Sequence, residues 1–389
     1  MERLDRFLLV THEVGTVPVH QVRGILERRS CGGMFIHHPL QYRRMASDVP
    51  SRAVGWGDVV VRAPLGVPLK VGSEAASYVK DFALTVLWVS RSRVIFDTMI
   101  AAGNLNALAG LALRRMGRVR HVIYYAIDFS DRRFNGAVLE STYRQVDEMV
   151  LRAADTTWHV SDAMRAARAS RFPRAFAADC SRHIVVPIGV HARRMRAVAA
   201  DIRDAGGRVV FLGNLLRHHG LEVVIEAVAR LRTLHPSIHL DIYGDGPDRR
   251  SCEAIVTSLG LQSVVKFHGY VEDDERLECE LGRGGVAVAM YSPFLATFTK
   301  YADPGKVKQY LGAGLPIVMT DVPPNAKSLS GGCALICGYS IDECASALHD
   351  LLVSPDRYRA MREAAFSEAA RLEWGTLIIN ALGRRNFPQ

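Results

Sequence analysis

Asp303 to Val318 reads D-P-G-K-V-K-Q-Y-L-G-A-G-L-P-I-V, and this stretch decides the fold. Pro304 opens a helix, where its missing N–H is no loss. Lys306 falls in the first turn, and Gln309 lies three residues on, on the same helix face. Gly314 ends the helix, and Pro316-Ile317-Val318-Met319 follows as a short buried strand. A helix N-terminus favours anions, and a lysine beside it adds a full positive charge. The unit is therefore a loop, a helix and a buried strand, with an anion site at the helix entry.

Upstream, the same alternation repeats. Val209–Leu212 is a strand turning at Gly213-Asn214, and 221–232 is a helix. His239–Tyr243 is a strand running into Gly244-Asp245-Gly246-Pro247, where Asp245 reads as a turn residue. Val265–Phe267 is a strand ending at His268-Gly269, and Val286–Met290 one ending at Tyr291. Open parallel sheets bind ligands at the carboxyl ends of their strands. Gly213, Gly244, His268 and Tyr291 all stand at such ends, on the edge that the Lys306 helix faces.

The first half reads likewise. Strands are expected at Phe7–Val10, Met34–Ile36, Asp58–Val61, Val94–Phe96, Val122–Ala126 and Thr156–Val160. Helices are expected over 21–29, 75–90, 105–116, a long one to about 153, and one capped by Ser161-Asp162. This is the pattern of a parallel, doubly wound α/β sheet. His183–His191 (H-I-V-V-P-I-G-V-H) leaves the first half as a strand and a Pro/Gly turn, and a linker is expected near 190–206.

A length of 389 residues fits two or three domains at about 100–200 residues each. An apolar content of 49% excludes global disorder. The seven cysteines are scattered with no C-x-x-C, which implies reduced thiols rather than a disulfide frame or a zinc site. The charged start, Met1 to Arg6, does not read as a signal peptide, and no apolar run reaches 18 residues. Residues 1–200 hold 29 Lys+Arg against 17 Asp+Glu, and 201–389 hold 20 against 23. The basic half suits an anionic partner: a diphosphate-linked lipid, an anionic membrane surface or nucleic acid. No nucleic-acid motif accompanies it, so nucleic acid is not an expected partner.

The stretch at 303–318 resembles the donor-site motif P-x-K-x-x-[E/Q]-Y-L-x-x-G-x-P-V-V of GT-B glycosyltransferases. From Tyr291 through Tyr310 it is similar, without a gap, to the membrane-associated glucuronosyltransferases of xanthan (exopolysaccharide) assembly. The resemblance implies a GT-B fold of two Rossmann-like doubly wound domains facing a central cleft. It implies an acceptor domain at 1–192, a nucleotide-sugar domain at 193–375, and a segment at 376–389 that crosses back. It also implies that Lys306 and Gln309 hold the diphosphate and ribose of a nucleotide-sugar, here a UDP-sugar such as UDP-glucuronate. The acceptor it implies is a lipid-linked saccharide or polysaccharide at the cytoplasmic face of a membrane, with peripheral attachment.

Sugar transfer with inversion needs a base for the acceptor hydroxyl, and positive groups for the leaving diphosphate. Asp128 is the candidate base, because it follows the apolar strand Val122–Ala126, and Asp131 is the runner-up. Gly213 and Asn214 let the backbone approach the diphosphate. Tyr291 stacks on or borders the base, and the backbone around His268 and Tyr270 reads its edge. Arg43, Arg44 and Trp88 are weaker candidates for contact with an acceptor or a membrane. His218-His219 is set aside as a metal pair because sequence neighbours point apart, and no D-x-D motif is present, so no metal or other cofactor is expected. Two alternatives stand. One is a retaining GT-B enzyme of the sucrose-synthase-like family. That group carries G-R-x-x-x-x-K-G where this chain has Gly213-Asn214 to His219-Gly220, and an E-x7-E pair where it has Tyr301 and Gln309. The other is a non-catalytic protein that binds an anionic ligand.

Overall fold

The computed structural model describes residues 5–12, 18–39, 50–61, 73–177, 179–199, 202, 204–295 and 298–384. It divides into two compact units: residues 1–187 with 377–389, and residues 188–376. The sequence places this boundary at 192/193.

The first unit is built on a seven-stranded sheet. Its strands are β1 (Arg6–Thr11), β2 (Gly32–His37), β3 (Arg52–Gly57), β4 (Phe96–Ala102), β5 (Val119–Ala126), β6 (Thr156–His159) and β7 (His183–Val185), in the order β3-β2-β1-β4-β5-β6-β7. All neighbours run parallel except β3, which is antiparallel to β2. The central strands are apolar runs: Leu8, Leu9 and Val10 in β1, Met99 and Ile100 in β4, and Val122 to Ala126 in β5 are all buried. Each such side chain contributes about 1.5–3 kcal/mol by leaving water.

The third strand lies earlier than Asp58–Val61. The apolar run at Val59–Val61 draws the reading, but the paired residues are Arg52–Gly57, where glycine allows close approach. Gly33 stands opposite Trp56, and a Cβ on it would lie 2.2 Å from the indole ring. Asp58 is a turn residue, its carboxylate held by Arg6. The fourth strand also starts later than Val94, because Arg93 takes a left-handed φ of 56° to end the helix Glu74–Ser92.

The second unit holds a six-stranded, all-parallel sheet of β8 (Arg208–Leu212), β9 (His239–Tyr243), β10 (Val265–Gly269), β11 (Val286–Ala289), β12 (Ile317–Met319) and β13 (Ala334–Ile336). The strand order is β10-β9-β8-β11-β12-β13. Val209, Phe211, Leu240, Ile242, Val286, Val288 and Val318 form its core with the helices Leu221–Leu231 and Ile341–Leu352. Part of the expected linker is packed structure. Ala192–Val198 is a helix with Met195 fully buried, and Arg194 is paired with Glu278 of the helix Asp274–Gly282. Among the described residues no helix is long and apolar enough to cross a membrane.

Candidate functional site

In the second unit the chain Asp303-Pro304 leads into the helix Gly305–Gly312, with Pro304 as its N-cap. Two side chains fix this entry. Asp303 is buried, its Oδ1 2.8 Å from Lys308 Nζ, and its Oδ2 accepts the Ile188 N–H at 2.8 Å. Tyr310 accepts the Leu212 N–H at 2.7 Å and donates to the Val288 carbonyl at 3.2 Å. The tyrosine of the Gln-Tyr pair thus ties the helix to the ends of β8 and β11.

This scaffold aims Lys306 at the turn after β8. Its Nζ lies 4.5 Å from the Phe211 ring centre and 5.0 Å from that of Tyr291. Gly213 has a φ of 132°, and a Cβ there would stand 3.1 Å from the Lys306 ammonium. The backbone conformation favours glycine, and a Cβ there would crowd the end of the lysine. The ammonium is buried, has no hydrogen-bond partner, and pairs with no carboxylate among the described residues. Burial pushes its pKa down to about 7. Gln309 Oε1 and His218 Nε2 are also buried without partners. Native proteins leave few such groups unsatisfied, and three on one edge point to a polar, anionic ligand.

The other donor-site candidates fare differently. Asn214 is exposed, and its carbonyl accepts from His219 Nδ1 at 2.6 Å. Tyr291 is 4% exposed, lying against Lys306 and edge-on to His219, so its face is not open for stacking on a base. The His268 side chain is committed inward: Nε2 lies 2.8 Å from Asp241 Oδ1, and the ring stacks on Tyr243 at 4.4 Å. Tyr270 is exposed and lines a pocket with His268, Tyr243, Glu272, Asp273 and Arg276. Asp245 closes its turn by accepting from the Gly246 N–H.

In the first unit, the carboxyl ends of β1, β4 and β5 open on a pocket lined by Thr11, His12, Tyr78, Asn104, Asp128, Arg133 and Tyr143. Asp128 is about half exposed. Its Oδ2 accepts from Arg133 Nη1 at 3.2 Å, while Arg133 Nη2 donates to the Tyr78 hydroxyl at 3.2 Å. No described residue bonds Asp128 Oδ1, and the Asp128 carbonyl accepts from the fully buried Arg168. Asp131 does not line the pocket; its carboxylate meets Arg171.

Sequence reading missed the buried charges beneath this pocket. His12 Nε2 lies 3.4 Å from Asp81 Oδ2, and Asp81 also meets His38 and Lys80 at 3.4 and 3.1 Å. Burial raises the pKa of Asp81, but His12, His38 and Lys80 outweigh it and hold the carboxyl below its ordinary value. His12 Nδ1 accepts from Asn106 Nδ2 at 3.0 Å. Nδ1 is thus taken by Asn106, while Nε2 is buried against Asp81 without a hydrogen-bond partner. Asp128 keeps a solvent-facing carboxylate oxygen that no described residue bonds, whereas His12 Nε2 is buried. The missed signal was Lys80-Asp81, two charges in the middle of an otherwise apolar helix.

Trp88 needs correction as a surface residue. It is 4% exposed and stacks on His38, so it belongs to the core. Arg43 and Arg44 lie outside the described residues. The His218 and His219 rings meet edge to face at 4.4 Å, and no group of three or more metal-binding side chains exists among the described residues.

Comparison with known proteins matches residues 206–354 to the family model of glycosyl transferases group 1. The lipopolysaccharide core biosynthesis glycosyltransferase LpsE of Rhizobium meliloti is 35% identical over 65 residues, 17% of this chain and 18% of that protein. The D-inositol 3-phosphate glycosyltransferase of Corynebacterium jeikeium is 26% identical over 209 residues, 49% and 48% of the two chains. The chain spans less than half the length of the curated relatives it matches. Among solved structures, sucrose-phosphate synthase of Thermosynechococcus elongatus superposes with a TM-score of 0.69 at 16% identity, over 97% of this chain and 98% of that one. HepE of Anabaena, in complex with UDP, gives 0.65 at 14% identity over 98% and 100%. The chain has the GT-B fold of these glycosyltransferases, and its second unit carries the match to glycosyl transferases group 1.

Proposed function

We propose that this protein is a nucleotide-sugar-dependent glycosyltransferase that takes a UDP-sugar, UDP-glucuronate first among those to be tried. The acceptor is a lipid-linked saccharide or polysaccharide. One observation carries the reading: the buried Lys306 ammonium has no partner, beside two more unsatisfied buried polar atoms, Gln309 Oε1 and His218 Nε2. A diphosphate supplies the counter-charge for Lys306 and an acceptor for a His218 N–H, and a ribose hydroxyl supplies the donor that Gln309 Oε1 lacks. The fold match, and the binding of UDP by HepE of Anabaena, support a uridine nucleotide. In this reading the acceptor hydroxyl gives its proton to Asp128 as its oxygen attacks the anomeric carbon from the face opposite the leaving diphosphate. The bond to the diphosphate breaks, and Lys306 takes up the departing charge. The configuration inverts. The neutral Gln309 and the absence of the arginine and lysine of G-R-x-x-x-x-K-G support this course over the retaining one.

A thermal-shift panel of UDP-, GDP-, ADP- and dTDP-sugars tests the donor. A ligand at about 100 times its Kd stabilises the folded state by about 2.7 kcal/mol. The UDP-sugars should raise Tm, with the others weaker. If no sugar nucleotide moves it, the donor reading fails.

The basic first half also supports peripheral attachment to an anionic membrane. The outer face of the helix Glu74–Ser92 leaves Val79 and Leu87 exposed and ends with Arg91 in its last turn. Basic and apolar groups side by side suit a headgroup surface, each Lys or Arg contributing about 1 kcal/mol. Flotation with anionic vesicles should fall with added salt and with Val79→Glu/Leu87→Glu or Arg43→Glu/Arg44→Glu. Equal recovery on neutral and anionic lipid would rule the attachment out.

A further inference from the structure

The turn after β8 holds a titratable group within reach of the Lys306 charge. His218 sits in the single 3-10 turn Arg217–His219, and its carbonyl accepts the Ser292 N–H at 2.9 Å. Its Nε2 is buried and unpartnered, as is the Lys306 ammonium. The His218 ring meets that of His219 at 4.4 Å and that of Phe298 at 6.4 Å, and His219 in turn lies against Tyr291, the ring beside Lys306. Among the described residues, the charged and titratable groups around His218 are Lys306, His219, its neighbour Arg217, and Asp248, a carboxylate whose field reaches it.

We propose, resting on the donor reading, that His218 is a second ligand for the diphosphate, and that the site takes its protons from solution as the sugar nucleotide binds. An ammonium and an imidazolium near one another in a buried site repel until an anion joins them. Burial first, then Lys306, hold His218 below its ordinary pKa, and burial brings Lys306 down to about 7. A bound diphosphate reverses both effects. Each group then takes up a proton wherever the pH lies between its free and its bound value. For Lys306 that window runs upward from about 7 towards the ordinary lysine value; for His218 it lies around and below neutrality. The arginine and lysine of G-R-x-x-x-x-K-G are permanently charged, or nearly so, and confer no such linkage. His219 is not the second ligand, because its Nδ1 is bonded to the Asn214 carbonyl and burial pushes its pKa down to about 3.

Calorimetry of UDP-glucuronate binding, in non-phosphate buffers of different ionisation enthalpy, tests this. The probe has no phosphate monoester and so no ionisation of its own near pH 6. The dependence of the observed heat on the buffer counts the protons taken up. Wild type should take up roughly one proton at about pH 7.5–8. Lys306→Arg, charged throughout, should bind and keep uptake only below about pH 7. His218→Gln should lose that lower uptake and weaken binding about tenfold at about pH 6.5, with little change at about pH 8.5. Equal heats in all buffers from about pH 6 to 8.5, or lower uptake unchanged in His218→Gln, would overturn the proposal. Failure of wild type to bind UDP-glucuronate at all would instead overturn the donor assignment on which it rests.

Discussion

Lys306→Met is expected to abolish binding of the sugar nucleotide and, at the same time, to raise the thermal stability of the ligand-free protein. The two effects have one cause. The Lys306 ammonium is buried between Phe211 and Tyr291 with no carboxylate beside it. Its pKa falls to about 7 in the folded protein, against about 10.4 for a free lysine. At neutral pH the unfolded chain therefore binds more protons at this site than the folded one. That difference costs on the order of 2–4 kcal/mol of stability. Methionine fills similar space without a charge, so the cost disappears. Tm should rise by roughly 5–10 °C in a unit of this size. The sign with pH follows. The penalty is full below about pH 7 and fades as pH rises towards the lysine value, where both states are neutral. The gain from Lys306→Met should accordingly shrink between about pH 7 and pH 10. Differential scanning calorimetry across that range, with UDP titrations on the same samples, checks both effects. A variant that loses stability, or one that binds UDP like wild type, would show that this lysine is an ordinary structural cation.

The same residue shows what was legible in the sequence. Asp303 to Val318 identifies the helix, its entry and the lysine, because proline, glycine and apolar runs act locally. It does not show that Tyr310 is a tie between helix and sheet, or that Asp303 closes on Lys308. Both depend on contacts between elements distant in the chain. Tyr291 shows the limit on the site itself: its position after β11 is legible, but the burial of its ring by Lys306 and His219 is not. Strand β3 failed for a different reason. Its glycines carry no hydrophobic signal, and the apolar Val59–Val61 just beyond them does. Trp88 failed because an aromatic residue next to an exposed leucine does not reveal which of the two faces the core. His218 was legible as a residue type, weighed only as half of a metal pair and set aside. Its unsatisfied nitrogen and the nearness of Lys306 appear only in the folded unit.

Asp128→Asn should lower turnover by about 10²–10⁴-fold while leaving affinity for the sugar nucleotide unchanged. Asparagine keeps the size and can still accept a bond from Arg133, so the pocket holds its shape, but its amide oxygen takes no proton near neutral pH. The donor groups Lys306, Gln309 and His218 all belong to the second unit, and the substitution touches none of them. Arg133 makes the assignment more searching. It grips one carboxylate oxygen of Asp128 and leaves the other without a bond from any described residue. Arg133→Gln should therefore reduce turnover less than Asp128→Asn, because the base survives while its aim loosens. Asp131→Asn serves as the control, since its carboxylate meets Arg171 and does not line the pocket. It should stay within a few-fold of wild type. Single-turnover measurements with saturating donor separate the chemical step from binding. If Asp128→Asn turns over like wild type while Asp131→Asn does not, the base is Asp131 and not Asp128. If both remain active, the retaining course, which needs no base of this kind, becomes the better account, and the configuration of the product by NMR decides it.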